Sequence, residues 1–397
     1  MNSRERMAIA MRGGQPDRVP VMCQLALGHY FLNCGIPPHK IWFTSEGFAE
    51  ALLTLRERYR FDGILINIPG RPENCLEDIR DLTETKDGEQ LTWSNGDVIL
   101  MPWDDNPFYI STGSGRAFHP EFDSFGPDDL DSLDDYSGYT WGTYHIPHLA
   151  GKTKPGPLAE IPDYFFRTID LVKAGSQGQI SVHGEVFSPF THYMELFGYE
   201  IALMGLVMDE EKAHGLLDAF TEEVILWAVA QLDRGVDAVL ISSAFAGGPF
   251  LSRKMYADFV LPYEARVVQS IKERGGIVYT HTCGKIGDRL DLMEATGTMG
   301  VDTLDPPPLG SVDLADAKRE IGSRLFIKGN MNSVALLKSK EEEQILDHAR
   351  ERITQGKPGG GYILSTACSV APRVEPWKLE LLVPLAEKIG RYKERGY

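Results

Sequence analysis

The chain has 397 residues, 43% of them apolar and 24% charged, and a formal net charge of −17. That composition supports a sizeable folded core and excludes the basic face that nucleic-acid binding requires. No stretch approaches the ~18 apolar residues needed to cross a membrane, and the opening Met1-Asn2-Ser3-Arg4 leads into an amphipathic stretch without a signal-like core. The five cysteines are odd in number and widely spaced, which points to reduced thiols in a cytoplasmic protein and not to a disulfide framework.

Short apolar, β-branched runs that close on small or polar residues predict strands at 18–24, 62–68, 179–186, 237–245, 276–283, 301–305, 324–330 and 361–368. Helical periodicity fills the later gaps at 210–234, 254–274, 286–296, 314–320 and 340–355. Eight continuous apolar strands alternating with helices predict an α/β fold of the (β/α)8 TIM barrel type, as one domain over 1–397. An open doubly wound sheet is the competitor, although no glycine-rich dinucleotide fingerprint follows the early strands. The alternation breaks at about 81–153. There Lys86-Asp87-Gly88 and Ser94-Asn95-Gly96-Asp97 carry hairpin-turn chemistry, and 121–135 holds only acidic charges. This region reads as an inserted hairpin and acidic loop covering one end of the barrel.

Functional groups of a barrel gather where its strands end. His281 and Cys283 end the fifth predicted strand and Cys368 the eighth; Glu185, Asp305 and Asn330 lie near the ends of the third, sixth and seventh. Imidazole and thiolate are the ligands Zn²⁺ prefers, and three protein ligands leave a fourth position for substrate. Positions i and i+2 of a strand share a side, so His281 and Cys283 can converge, and barrel closure brings Cys368 towards them. On the spacing alone, a buried strand histidine and two unrelated core cysteines remain an equal reading. Glu185 serves as a general base or transient fourth ligand, or else pairs with a basic residue. Tyr279 lines the pocket or fills the barrel. Asp305 and Asn330 either touch substrate or orient loops. His145, His183 and His192 read as structural, and Cys23, Cys34 and Cys75 as core or surface thiols. The aromatic stretches 103–109 and 136–144 either close over substrate or pack.

Six passages carry a resemblance: "RERMAIAMRGGQPDRVPV" at 4–21, "SPFTHYMELFGYE" at 188–200, "LSRKMYADFVLPYEARVVQSIKERG" at 251–275, "HTCG" at 281–284, "IKGNMN" at 327–332 and "ACSVAP" at 367–372. Together they resemble the uroporphyrinogen decarboxylase superfamily, and within it the zinc-dependent methylcobalamin:thiol (coenzyme M-type) methyltransferase branch. The resemblance implies a (β/α)8 barrel with His281, Cys283 and Cys368 as zinc ligands. It also implies a corrinoid that arrives as free methylcobalamin or on a separate protein, because no D-x-H-x-x-G motif is present. The decarboxylase pattern fits less well, since Pro20–Leu27 lacks the arginines that grip substrate carboxylates there. The branch often has an acidic residue after the fourth strand, where this chain has Ser242-Ser243-Ala244.

The expected function is methyl transfer between a corrinoid and a small thiol or methylated substrate. A metal would stabilise the thiolate form of such a thiol. Alternatives from other classes are a metal-independent decarboxylase and a non-catalytic zinc-binding protein. The expected partners are a small-molecule methyl donor or acceptor and a corrinoid protein; self-association is left open.

Overall fold

The computed structural model describes residues 1–111, 119–132 and 161–393. Eleven strands form two sheets among these residues. After β1 (Gly63–Ile66) come four antiparallel strands, β2 (Ile79–Glu84), β3 (Gly88–Trp93), β4 (Val98–Pro102) and β5 (Phe108–Ser111). The chain then returns through β6 (Ser181–Phe187), β7 (Ala238–Ser242), β8 (Val278–Thr282), β9 (Gly300–Thr303), β10 (Phe326–Met331) and β11 (Tyr362–Thr366). β1 and β6 to β11 make one curled parallel sheet in chain order. Strands such as AVLIS, VYTHT and YILST are buried along their whole length, as a parallel sheet covered on both faces requires. This agrees with a TIM-like barrel.

The first predicted strand is not a regular one. Pro20 has no N–H to give to a ladder, and 18–25 pairs only through isolated bridges, Arg18 with Arg391, Val21 with Leu364 and Leu25 with Val370. The segment still touches both edges of the sheet: Leu364 N donates to Pro20 O (2.9 Å) and Asp62 N to Val21 O (2.8 Å). Two other ends are corrected. β9 stops at Thr303, because Thr303 and Leu304 take positive φ (81° and 54°), so Asp305 lies in the following loop. β11 stops at Thr366, which leaves Cys368 two residues beyond it.

The hairpin chemistry at 86–88 and 94–97 produces the turns of the antiparallel sheet β2-β3-β4-β5. Trp93 N donates to Asp97 O (2.9 Å), and Gly96 adopts the φ of +92° that such a turn needs. Within the acidic run, 127–132 is a short 3-10 helix with exposed Asp128 and Asp129. Residues 133–135 of that run, the aromatic stretch 136–144 and His145 lie outside the described residues.

The N-terminal helix Ser3–Met11 plugs the end of the parallel sheet where the strands begin. Its Met7, Ala10 and Met11 pack on Leu65, Leu240, Tyr279 and Phe326. Beside them the buried Asp62 accepts from Arg6 Nη1 (2.7 Å) and Arg18 Nη1 (2.8 Å). With that end filled, the ends of the strands are the open face. No helix among the described residues is long and apolar enough to cross a membrane.

Glu264, on the outer helix Leu261–Glu273, is fully buried, and its Oε1 has no partner. Burial drives its carboxyl up to about 7, against hydrogen bonds from Ser243 and Tyr256. Its contribution to stability is therefore present below the ordinary carboxyl range and lost as pH rises through about 7. Glu264→Gln is expected to match the parent in urea unfolding at about pH 4 and to exceed it by up to ~3 kcal/mol at about pH 8. Parallel pH profiles of the two proteins would contradict this.

Candidate metal centre

Strand register sets the site. His281 is opposite Ser242 of β7 on one side and Asp302 of β9 on the other, and Asp302 is in turn opposite Lys328 of β10. His281 is 5% exposed, too enclosed for water to fix its ring. Its Nδ1 instead lies 3.1 Å from Asp302 Oδ2 and 2.7 Å from Thr303 Oγ1. The positive φ of Thr303, unfavourable for a β-branched residue, accompanies this placement of its hydroxyl. With Nδ1 engaged by a carboxylate, Nε2 faces the other way, 3.1 Å from Cys283 Sγ. Cys283 Sγ is 3.7 Å from Cys368 Sγ. The ligand atoms of His281, Cys283 and Cys368 all lie within 4.8 Å of one another, and they are the one such cluster among the described residues.

This donor set fits a zinc ion: one imidazole nitrogen, two sulfurs and room for a fourth ligand. The carboxylate on the far ring nitrogen is the usual support of a metal-bound histidine, fixing its tautomer and ring plane. Cys283 and Cys368 are half-buried and in no disulfide, so an incoming molecule can reach them.

The electrostatics favour a preformed thiolate. Cys368 is held well below the ordinary thiol range by the Cys283 hydrogen bond and, against burial, by His281. Burial would lower the His281 imidazolium, but Asp302 and Cys368 raise it to about 10. Burial would raise the Asp302 carboxyl, yet Lys328 and His281 hold it below its ordinary value. Lys328 Nζ donates to Asp302 Oδ1 at 2.9 Å, and both side chains are 2% exposed.

The turn that carries Cys283 is pinned from two directions. Gly284, at φ +77°, donates its N–H to Asp305 Oδ2 (2.7 Å). Gly247 approaches so closely that an added Cβ would lie 2.2 Å from Cys283 O. Gly247→Ala should therefore push Cys283 out of place without removing a ligand. A loss of zinc affinity of about tenfold or more is expected, in line with losing a group that orients a ligand. Chelator competition checks this, and an unchanged affinity would contradict it.

The remaining expected site residues fall in different places. Glu185, on β6, has a buried Oε2 without a partner, and burial raises its carboxyl to about 7; it lines a cavity with Asn67, Phe187 and Gln231. Asp305 orients the Cys283 turn. Tyr279 lies on the plugged floor, its Oη 2.8 Å from His183 Nδ1, and fills the barrel interior. Asn330 is fully buried; its amide donates to Leu304 O (2.8 Å) and accepts from Arg352 Nη1 (3.2 Å). His183 and His192 are buried and lie outside the three-ligand cluster: His183 also meets Ser181 Oγ (2.9 Å), and His192 stacks on Phe220. Sequence reasoning missed Asp302 and Lys328. The sequence offers only a weak signal for them: each is a charged residue inside a predicted strand, 301–305 or 324–330.

Comparison with known proteins follows this geometry. The family model described as "Uroporphyrinogen decarboxylase (URO-D)" matches residues 150–389. The chain is 28% identical over 250 residues to a uroporphyrinogen decarboxylase of Nitrosococcus oceani, covering 59% of this chain and 66% of that protein. It is 26% identical over 203 residues to a methylated-thiol–coenzyme M methyltransferase of Methanosarcina mazei, covering 51% and 52%. The matches thus span about half to two thirds of these relatives. Among solved structures, a methyltransferase from Methanosarcina mazei aligns with a TM-score of 0.70 at 18% identity, covering 98% of this chain and 99% of that one. That likeness establishes a shared fold.

Proposed function

This chain belongs to the uroporphyrinogen decarboxylase (URO-D) family, and from that premise we propose that it is a zinc-dependent methyltransferase moving a methyl group between a corrinoid and a small thiol or methylated substrate. One observation carries the reading: His281, Cys283 and Cys368 place their ligand atoms within 4.8 Å of one another at the open ends of the strands. We read the fold as a single (β/α)8 barrel closed by segment 18–25, with the antiparallel sheet inserted near its mouth. A zinc ion held there supplies a Lewis acid that favours the thiolate form of a substrate sulfur at neutral pH.

The protein's own groups divide the remaining work. Asp302 and Thr303 hold the His281 ring, and Lys328 keeps Asp302 ionised. Asp305 and Gly247 fix the turn of Cys283. Glu185 is the candidate acceptor for the thiol proton, because its Oε2 is buried and unpartnered and its carboxyl sits near neutrality. The corrinoid enters as free methylcobalamin or on a separate protein. The ligand set serves either direction of methyl transfer.

The test follows the methylcobalamin spectrum with zinc-loaded protein and a panel of thiols. Thiol-dependent demethylation that stops on chelation and returns with zinc is expected; no spectral change across the panel counts against the reading. The names of the matched decarboxylases support decarboxylation as a second reading, which we take to proceed without a metal. Against it, Pro20–Leu27 lacks arginine. Porphyrinogen decarboxylation that survives chelation would favour it.

A further inference from the structure

A cavity that the roles above leave unused reaches Ser369, the residue after the ligand Cys368. Gln24, Asn67, Asn106 and Ser369 form its polar wall, Leu27 and Tyr30 part of its apolar side, and no charged side chain lines it among the described residues. Four parts of the chain build it. Ser369 directly follows Cys368, and the Gln24 segment is tied alongside, with Val370 N donating to Gln24 O (2.8 Å) and Ala26 N to Val370 O (3.1 Å). Asn67 follows β1. Asn106 is brought in by the connection between β4 and β5 of the antiparallel sheet. That connection is held in place: Arg373 pairs with Asp104, and a Cβ added to Gly28 would lie 2.4 Å from the Asp104 carbonyl carbon.

Gln24 Oε1 is buried and has no hydrogen-bond partner. An acceptor left in that state costs its full desolvation unless a donor meets it. Arg373, at the same rim, is engaged by Asp104. Glu185 lines an adjoining cavity that shares Asn67 and Ile68 with this one.

Resting on the zinc–thiol reading above, we propose that this cavity receives the tail of the substrate whose sulfur lies at His281, Cys283 and Cys368, and that the tail is an uncharged hydrogen-bonding group such as a carboxamide or alcohol. An N–H or O–H on that tail would satisfy Gln24 Oε1, and the amides of Asn67 and Asn106 can turn either a donor or an acceptor to the rest. A carboxylate or sulfonate would lose its hydration there and gain no formal positive charge in exchange. The antiparallel sheet thereby acts in substrate choice, because it supplies Asn106.

The test uses protein loaded with cobalt(II) in place of zinc, which reports thiol binding through its sulfur-to-cobalt charge-transfer band and not through turnover. Four matched thiols are titrated: mercaptopropionamide, mercaptoethanol, mercaptopropionate and mercaptoethanesulfonate. The neutral pair should bind about tenfold or more tightly than the acids. That preference should shrink severalfold in Gln24→Leu and Asn106→Leu, mainly through weaker binding of the neutral thiols. Acids that bind as well as or better than the neutral thiols overturn the neutral-tail proposal and leave the three-ligand site standing. If no thiol perturbs the spectrum, both fail, because the metal site is then not a thiol site. Asn106→Leu, outside the parallel sheet, carries the test if the Gln24 variant does not fold.

Discussion

Cys283→Ser and Cys368→Ser are each expected to abolish zinc binding at micromolar metal and with it methyl transfer from methylcobalamin. A serine hydroxyl stays protonated at neutral pH and is a poor replacement for a soft thiolate. The loss should exceed the ~10–100-fold typical of removing only a hydrogen-bonded partner of a ligand. The fold should survive, because both cysteines are half-buried and lie past the ends of their strands. Cys34→Ser is the control: Cys34 is a free thiol that does not belong to the cluster. Chelator competition gives the affinities, and thermal unfolding of the metal-free proteins shows whether the fold is intact. Parental zinc affinity in both variants would remove the site as drawn.

Lys328→Met is expected to have the largest effect on stability. Lys328 and Asp302 are a buried pair, and removing one partner strands the other's charge in the interior, at a cost of about 3–5 kcal/mol. Metal binding should weaken as well, by about 10–100-fold, because an Asp302 carboxylate without its lysine is driven towards the protonated form and grips His281 less firmly. In the parent, the Asp302 contribution is fully present above the ordinary carboxyl range and lost as pH falls through its lowered value. The Lys328→Met protein should lose stability further up the pH scale. Adding Asp302→Asn removes the stranded charge, so the double variant should recover much of the stability but not the metal affinity. Urea unfolding and chelator competition on the three proteins check both parts. A single variant as stable as the parent would show that the pair does not hold the site.

Much of this was legible in the sequence for identifiable reasons. The strands from β6 to β11 are short apolar runs separated by periodic helices, and a buried parallel sheet writes itself that way. His281-x-Cys283 was legible because period two is the one regularity a strand imposes on its side chains. Other features depended on register or on backbone geometry that no residue type announces. Lys328 is only one more charge inside a predicted strand until β9 and β10 are aligned and set it opposite Asp302. Asn330 reads as a mouth residue, yet the left-handed turn at Thr303 and Leu304 accompanies a Leu304 carbonyl bonded to its amide. No glycine marks that turn. Pro20 did carry a warning, since a strand with a missing donor cannot form a full ladder. The polar cavity was invisible because Gln24, Asn67, Asn106 and Ser369 are ordinary loop residues far apart in the chain.

The most direct measurement is zinc K-edge X-ray absorption on the purified protein before and after a thiol is added. The account predicts two sulfurs at about 2.3 Å with an imidazole nitrogen and one further light atom, changing to three sulfurs with thiol. Zinc surrounded only by nitrogen and oxygen, or a two-sulfur shell that no thiol alters, would contradict it.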